Sequence, residues 1–473
     1  MSTNTLLQTD LHLLARTVLD RAMKAGATDA EAVAYEGEDF SATVRLGQVE
    51  TLKESGARAI GLRVFNGLRT ASTSSSDLTP DGLAKLVEGA IALAKITSED
   101  PFVGLPESSE LAHPTEASVE ALGLYFADVH HQPPAERIEI ARRCEAAAMA
   151  FDTRIQNSGG GDFDTSTTHK VMVNSRGFEG EYRRSYCGFS AAPIAQDDRG
   201  RMQRNYWYSS ARTTRLLEDP EAIGIIAAQR TLRRLGARRV ETQRAPVVFA
   251  PETARSLIGN IFDAANGDAI YRHASFLDGM LNERIAGENI TIVNDGTMVF
   301  PKQTADGETL HVGGFGTAPF DGEGLPTRRT VLVKEGVLRS YVTNTYTGRK
   351  LGIASTGNAS RSLAGNPGIG AGNFYLEPGS LTPEQLLAPI RSGLYVTETM
   401  GFGVNLVTGD YSQGASGLWI ENGELAYPVE EITIAGNLKD MYRNIVAIGN
   451  DLVFRGASAS PTIHVEGMTI AGS

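Results

Sequence analysis

The chain reads as an α+β protein: an N-terminal mixed α/β domain with helices packed on antiparallel meander sheets, then a β-rich C-terminal domain with a curved or barrel-like sheet. Three observations predict this. The order helix, run of strands, helix occurs twice before Gly236; beyond Ile290 the chain is almost all short apolar runs and glycine turns; and 473 residues exceed what one ordinary core organises. The boundary is placed in the short polar, basic stretch from Gly236 to Arg244, giving domains 1–238 and 239–473.

Each element has its own signal. Thr9 or Asp10 can cap a first helix with Leu11, Leu14, Ala15, Val18, Leu19 and Ala22 on one stripe, closed by Gly26. Five strands follow at 30–35, 40–46, 49–55, 58–65 and 68–74, with Asn66-Gly67 as a type I′ hairpin signal. Thr79-Pro80 starts a second helix that buries Leu83, Leu86, Val87, Ala90, Ile91 and Ala94. The proline-bearing, acidic, aperiodic stretch 98–120 reads as a surface connection.

Pro133-Pro134 opens a helix to Ala148, and strands are predicted at 154–158, 167–174, 178–184, 186–195 and 203–212, before a helix from Pro220 to Leu235. The two halves repeat as elements but not residue by residue. Ala245 to Ala250 is a buried strand leading into a helix marked by Leu257, Ile261, Ala264 and Ala265, with Pro251 and Glu252 in its first turn and Gly267 as its stop. Strands then dominate at 290–293, 329–334, 337–344, 372–377, 393–400, 417–421, 424–434 and 463–470. Glu335-Gly336 and Asn422-Gly423 serve as turns, and one short helix spans 383–391.

Composition narrows the function. With 44 basic and 56 acidic residues the net charge is -12, which argues against nucleic acid as the main partner, because phosphate binding wants a positive stripe. Two cysteines make no disulfide framework and fit a reducing compartment. The start, Met1-Ser2-Thr3-Asn4-Thr5, has no basic and apolar signal pattern and no segment has a membrane-spanning apolar run, so a soluble cytoplasmic protein with no membrane partner is expected.

Candidate chemistry is sparse. The eight histidines include no pair at i, i+3 or i+4, and His130-His131, being adjacent, point apart, so no metal site is expected in this chain. The run Gly365 to Asn373 lacks the Lys-Ser/Thr of a phosphate loop, contains Pro367 and leads into a strand. Ser412 has no marked histidine partner or nucleophile-elbow pattern. No catalytic residue is assigned. The glycines Gly401, Gly403, Gly409, Gly414 and Gly417 suit a loop that contacts an extended ligand or another chain.

Two segments carry a resemblance. One runs from Thr253 through Gly267-Asp268 and Gly279 to Arg284, ending in Asn294-Asp295-Gly296; the other runs from Thr408 through Gly409-Asp410-Tyr411-Ser412-Gln413-Gly414-Ala415-Ser416-Gly417 to Leu438. They resemble the TldD/TldE peptidases, also called PmbA or modulator of DNA gyrase, over essentially the whole chain. The second segment is similar to the TldE (PmbA) branch. In the TldD branch a His-Glu-x-x-x-His helix holds zinc, its glutamate activates water, and a late cysteine completes the site. Counting back from Gly267-Asp268 places those helix positions on Ile258, Gly259 and Asp263, and the region of the late cysteine, 448–451, has none.

The resemblance therefore implies a TldE-like, non-catalytic subunit of a zinc metallopeptidase for unfolded or extended peptides. The cofactor would be zinc in a TldD-type partner, none in this chain; the assembly would be a hetero-oligomer, or a homodimer of the isolated chain. It implies a groove or partner-contact role for Asp410, Tyr411, Ser412, Gln413, Gly414, Ser416 and Gly417, and a place beside the peptide groove for the Gly365 run. Asp263, Asp268 and His273 then read as a polar helix end and turn. Two alternatives are a metal-independent hydrolase with an unrecognised site and a regulatory binding protein, a gyrase modulator, without catalysis.

Overall fold

The computed structural model describes residues 10–472. Helix α1, Leu11–Lys24, is capped by Asp10, whose Oδ1 accepts the His12 N–H at 2.9 Å; Thr9 lies outside the described residues. The expected stripe is buried, with Leu19 at its margin. Three strands replace the five predicted next: β1, Asp29–Arg45; β2, Gln48–Asn66; β3, Arg69–Ser75. The predicted breaks fall at one level of the ladder, where Gly37 faces Ala57 and Glu38 faces Gly56, so a single long hairpin runs through both. Leu46 and Gly47, both at positive φ, turn it. Asn66 pairs with Arg69, so the next turn is Gly67-Leu68 with positive φ at Gly67 alone, one residue beyond the predicted Asn66-Gly67 centre. Helix α2, Pro80–Ile96, follows as predicted, capped by Thr79.

The same merging recurs after the helix Pro134–Ala150. Strands β4, Ile155–Asn174, and β5, Glu179–Gln196, each absorb two predicted strands, whereas the stretch 203–212 divides into β6, Met202–Arg204, and β7, Trp207–Ala211, both along the outer edge of β5. One antiparallel sheet results, ordered β3-β2-β1-β4-β5-β6, and the two halves meet where β1 pairs with β4.

The period of two sorts its faces. Ala32, Ala34, Phe40, Ala42 and Val44 of β1 face α1, α2 and the helices Pro134–Ala150 and Pro220–Leu232. Cys144 of the helix Pro134–Ala150 and Cys187 of β5 meet in this layer, and burial pushes both thiols up, Cys144 to about 12. Val33, Met172 and Tyr182 point the other way, onto Leu111, Ala112 and Phe320. The stretch 98–120 is therefore packed rather than a free surface connection. Leu105 is fully buried, its carbonyl accepts from Arg349 at 2.7 Å, Asp100 accepts from the Tyr346 hydroxyl at 2.7 Å, and the Ala112 N–H donates to Gly324 O.

The second half begins with β8, Gln243–Phe249. It hydrogen-bonds to Ser392–Met400 on one side and Ile463–Ala471 on the other. Asp410–Glu421 and Glu424–Asn437 continue the sheet, and pairing of Thr433 to Ala435 with Thr469 to Ala471 closes it into a five-stranded barrel. A second sheet has Ile292–Asp295 between Arg329–Lys334 and Asn373–Leu376. Glu335-Gly336 and Asn422-Gly423 turn with both residues at positive φ, as expected. The predicted strand 337–344 shrinks to Val337–Leu338, and the short helix to Pro383–Leu387.

The helix Pro251–Ala264 packs in the core shared by barrel and second sheet, with Leu257, Ile258 and Ile261 among Phe249, Ile292, Phe374 and Leu394. It stops at Ala264 rather than at Gly267. Gly267 opens a further short helix, Gly267–Tyr271, capped by Asn266, and a Cβ there would lie 2.9 Å from Thr347 Oγ1. Close packing, not helix termination, is what calls for glycine.

Candidate functional site

The helix Pro251–Ala264 places the three positions that the resemblance assigns to zinc chemistry. Ile258 is 1% exposed and belongs to the core; a Cβ on Gly259 would meet nothing within 4 Å; Asp263 lies at the surface end of the helix. Partial burial raises the Asp263 carboxyl above the usual range although its side chain reaches solvent. Tyr442 packs beneath, its hydroxyl donating to Leu257 O at 2.8 Å, and burial together with Tyr411 and Asp263 raises its pKa well above normal. Tyr411 and Asp263, 148 positions apart in the chain, thus come to share one buried tyrosine.

These residues do not fit zinc. An isoleucine, a glycine and one carboxylate offer no imidazole or thiolate, and the neighbouring polar groups are already engaged. His273, at φ 53°, holds Asp278 at 2.6 Å, and Asp268 pairs with Arg272 at 3.1 Å. Among the described residues no group of three or more His, Cys, Asp or Glu could hold a metal ion.

The segment from Asp410 to Gly417, expected as a loop, is strand. Asp410 to Ala415 and Gly417 pair with Glu424–Asn437, and from Gly414 onward the strand also pairs with Ser392–Met400. Before that the second edge is taken by the same chain, since the Ser412 N–H donates to Gly403 O at 2.6 Å and Tyr411 bridges to Val404. The glycines therefore admit neighbouring barrel strands, not an added peptide. A Cβ on Gly417 would sit 1.9 Å from Tyr395 O, and one on Gly414 would sit 2.8 Å from Met400 Cγ.

The remaining side chains of this segment have local partners. Asp410 is held low by Thr408 and Asn437, Tyr411 is 5% exposed, and Gln413 can donate to Met400 O at 2.8 Å. Ser416 donates to Glu398 at 3.2 Å, and Glu398 in turn pairs with Arg234. The hairpin end between the two strands carries Phe402, fully exposed between Gly401 and Gly403, with Met400 and Val407 also exposed.

Sequence reasoning missed a second polar centre. A cavity of about 300 Å³ lies between the face of β4 and β5 and the second half, lined by Lys170, Tyr182, Arg184, Asp321, Asn358 and Arg361, with Gly370 to Gly372 of the glycine-rich run along its wall. Behind it Glu31 of β1 pairs with Arg63 at 2.5 Å and with Arg361, while Arg63 lies 4.0 Å from Glu323. All four side chains are at most 6% exposed. Their positions along the chain give no local pattern, so only the fold assembles them.

The sequence models of the PmbA/TldA metallopeptidase domains match in order: domain 1 over residues 30–94, the central domain over 128–235 and the C-terminal domain over 242–472. The chain is 38% identical over 442 residues to the metalloprotease PmbA of Escherichia coli O157:H7, covering 92% of this chain and 90% of that protein. This chain belongs to the PmbA/TldD family. A PmbA homologue from Haemophilus influenzae is 34% identical, covering 96% of this chain and 94% of its own length. Among solved structures, a protein described as a putative modulator of DNA gyrase from Bacteroides thetaiotaomicron superposes with a TM-score of 0.87 at 27% identity, covering 97% and 98% of the two chains. TldE from Thermococcus kodakarensis has the same fold, with a TM-score of 0.83 at 21% identity and coverage of 97% and 99%. Among the described residues no helix is long and apolar enough to cross a membrane.

Proposed function

We propose that this PmbA/TldD-family chain is the TldE-like subunit of a cytoplasmic two-chain metallopeptidase acting on unfolded or extended peptides, with the zinc ions and the attacking water in a TldD-type partner. The observation that carries the reading is the helix Pro251–Ala264, whose Ile258 is sealed in the core where the resemblance would place a histidine. A coordinating side chain there would need the core to open, at a cost of several kcal/mol. What this chain offers instead is a rigid wall: a closed barrel with a protruding, exposed Phe402 tip that suits contact with a second chain.

The test is to purify the chain without chelator, measure zinc by elemental analysis, and assay peptide cleavage alone and mixed with a TldD-type homologue. Less than a tenth of an equivalent of zinc and cleavage only in the mixture are expected, with Ser412→Ala retaining nearly full activity in it. About one retained zinc per chain, or chelator-insensitive cleavage by this chain alone, would overturn the reading.

A further inference from the structure

The cavity between the β4–β5 face and the second half has features of a built binding site. Lys170, Arg184, Arg328 and Arg361 line it against a single carboxylate, Asp321. Among the described residues Lys170, Arg184 and Arg328 form no ion pair with a carboxylate; Arg184 donates to Thr317 O at 3.0 Å and stacks on Tyr182 at 4.8 Å, and Lys170 lies 6.0 Å from the same ring. Arg361 is the exception, bound to Glu31 through Nη1. Asp321 is already occupied by the backbone N–H groups of Glu323, Leu325 and Ala359 at 2.8 to 3.0 Å. The unspent charge is cationic.

A second, independent observation concerns hydrogen bonding. Asn358 is 6% exposed and its Nδ2 is satisfied by Gly370 O at 2.9 Å, but its Oδ1 has no donor. Arg361, with a side chain 1% exposed, leaves Nε and Nη2 without an acceptor, and the Arg184 Nε is likewise unmatched. Buried polar atoms in folded proteins are nearly always paired, so orphans gathered around one cavity mark what a ligand would supply. The field agrees. Tyr182 is buried, which works to raise its pKa, yet the net shift is downward because Lys170, Arg184 and Arg212 favour its anion.

We propose that this cavity binds the C-terminal residue of a peptide, its carboxylate held by Lys170 and Arg184 and its last amide N–H donated to Asn358 Oδ1. A lone acceptor beside unpaired cations selects a ligand with both an anion and an N–H donor, which a simple carboxylic acid lacks. About 300 Å³ accommodates one or two residues and not a folded partner. The glycines of the wall let its backbone pack closely, since a Cβ on Gly370 would lie 2.8 Å from Ser360 and one on Gly372 2.9 Å from Gly296 N. The site lies on this chain alone, so its test is independent of the two-subunit reading.

The experiment is calorimetric titration of the full chain with N-acetyl-tetraalanine, the same peptide as its C-terminal amide, and succinate. Saturable binding of the acid peptide is expected, weakened at least tenfold by amidation, with succinate at least tenfold weaker than the peptide. Lys170→Gln and Arg184→Gln should each weaken the acid peptide at least tenfold with unchanged circular dichroism and melting; should either fold poorly, the exposed Arg328→Gln serves, and binding of the acid should also fall with added salt. The proposal is overturned by no binding at millimolar peptide, by equal affinity for acid and amide, by succinate binding as tightly as the peptide, or by well-folded variants that bind like the parent.

Discussion

Asp321 is a carboxyl group buried beside a second carboxyl, Glu323, and its charge is set by that surrounding. Burial, reinforced by Glu323, lifts Asp321 to about 7, against three backbone N–H bonds that favour its charged form. The folded chain then holds this proton more tightly than the unfolded chain, whose aspartate titrates near the ordinary value of about 4. The contribution is complete below that value and is lost as pH rises through about 7. Asp321→Asn removes the titration and sacrifices the bond from Ala359 N–H, at a cost of about 1–3 kcal/mol. Denaturant melts should therefore show the variant clearly less stable than the parent at pH 5 and the gap narrower at pH 8. A gap that widens with pH would contradict the assignment.

The same scale limits what sequence can reveal. Ile258, Gly259 and Asp263 could be placed on a helix by counting, because the period of the helix is local. The grouping of Glu31, Arg63, Glu323 and Arg361 could not, because no local rule brings positions that far apart together.

At the scale of the elements, glycines decide which barrel strands can touch. Gly417 faces Val396 across the ladder, and any side chain would strike the Tyr395 carbonyl of that neighbouring strand at 1.9 Å, with nothing flexible to yield. A Cβ on Gly414 would press mainly on the Met400 side chain, which can turn away, and would sit 3.4 Å from the Met400 carbonyl, an ordinary contact. Gly417→Ala should accordingly cost roughly 3 kcal/mol or prevent folding, and Gly414→Ala about 1 kcal/mol or less. Equal melting of the two variants would mean the strand contact is not what constrains them. Element types were legible where the period was sustained, as in α1, α2 and the helix Pro251–Ala264. Strand lengths were not, because Gly37 and Gly56 look like breaks until the register shows each within the ladder, Gly37 facing Ala57 and Gly56 facing Glu38. The segment around Ser412 misled for a related reason: its glycines signal close approach, but only the closed barrel shows that the approaching strand is the chain's own.

The whole molecule turns on how the two halves are joined. Composition places a domain boundary in the basic stretch 236–244 and reads 98–120 as an exposed connection within the first domain, and two separable domains, 1–238 and 239–473, would melt separately and be cut first at exposed loops. The contacts argue otherwise. Arg212, buried and held to about 9 by desolvation and by Arg184, donates to Gly313 O and Gly314 O at 2.7 Å, spanning the halves with a charge that pairs with no carboxylate among the described residues. Arg361 crosses in the other direction to Glu31, Arg349 and Tyr346 fasten the 98–120 stretch, and Phe320 inserts among Val33, Met172 and Tyr182. Separating the halves would break these hydrogen bonds and ion pairs and expose the apolar surface around Phe320 together, so neither half keeps its packing alone. Scanning calorimetry of the intact chain should thus show one cooperative transition, lowered but still single in Arg361→Met. Limited proteolysis should leave 98–120 intact and begin at an exposed turn such as Asp198-Arg199-Gly200. Two resolved transitions, or a first cut within 98–120, would mean that the halves are independent and that the buried ion pairs between them do not couple their folding.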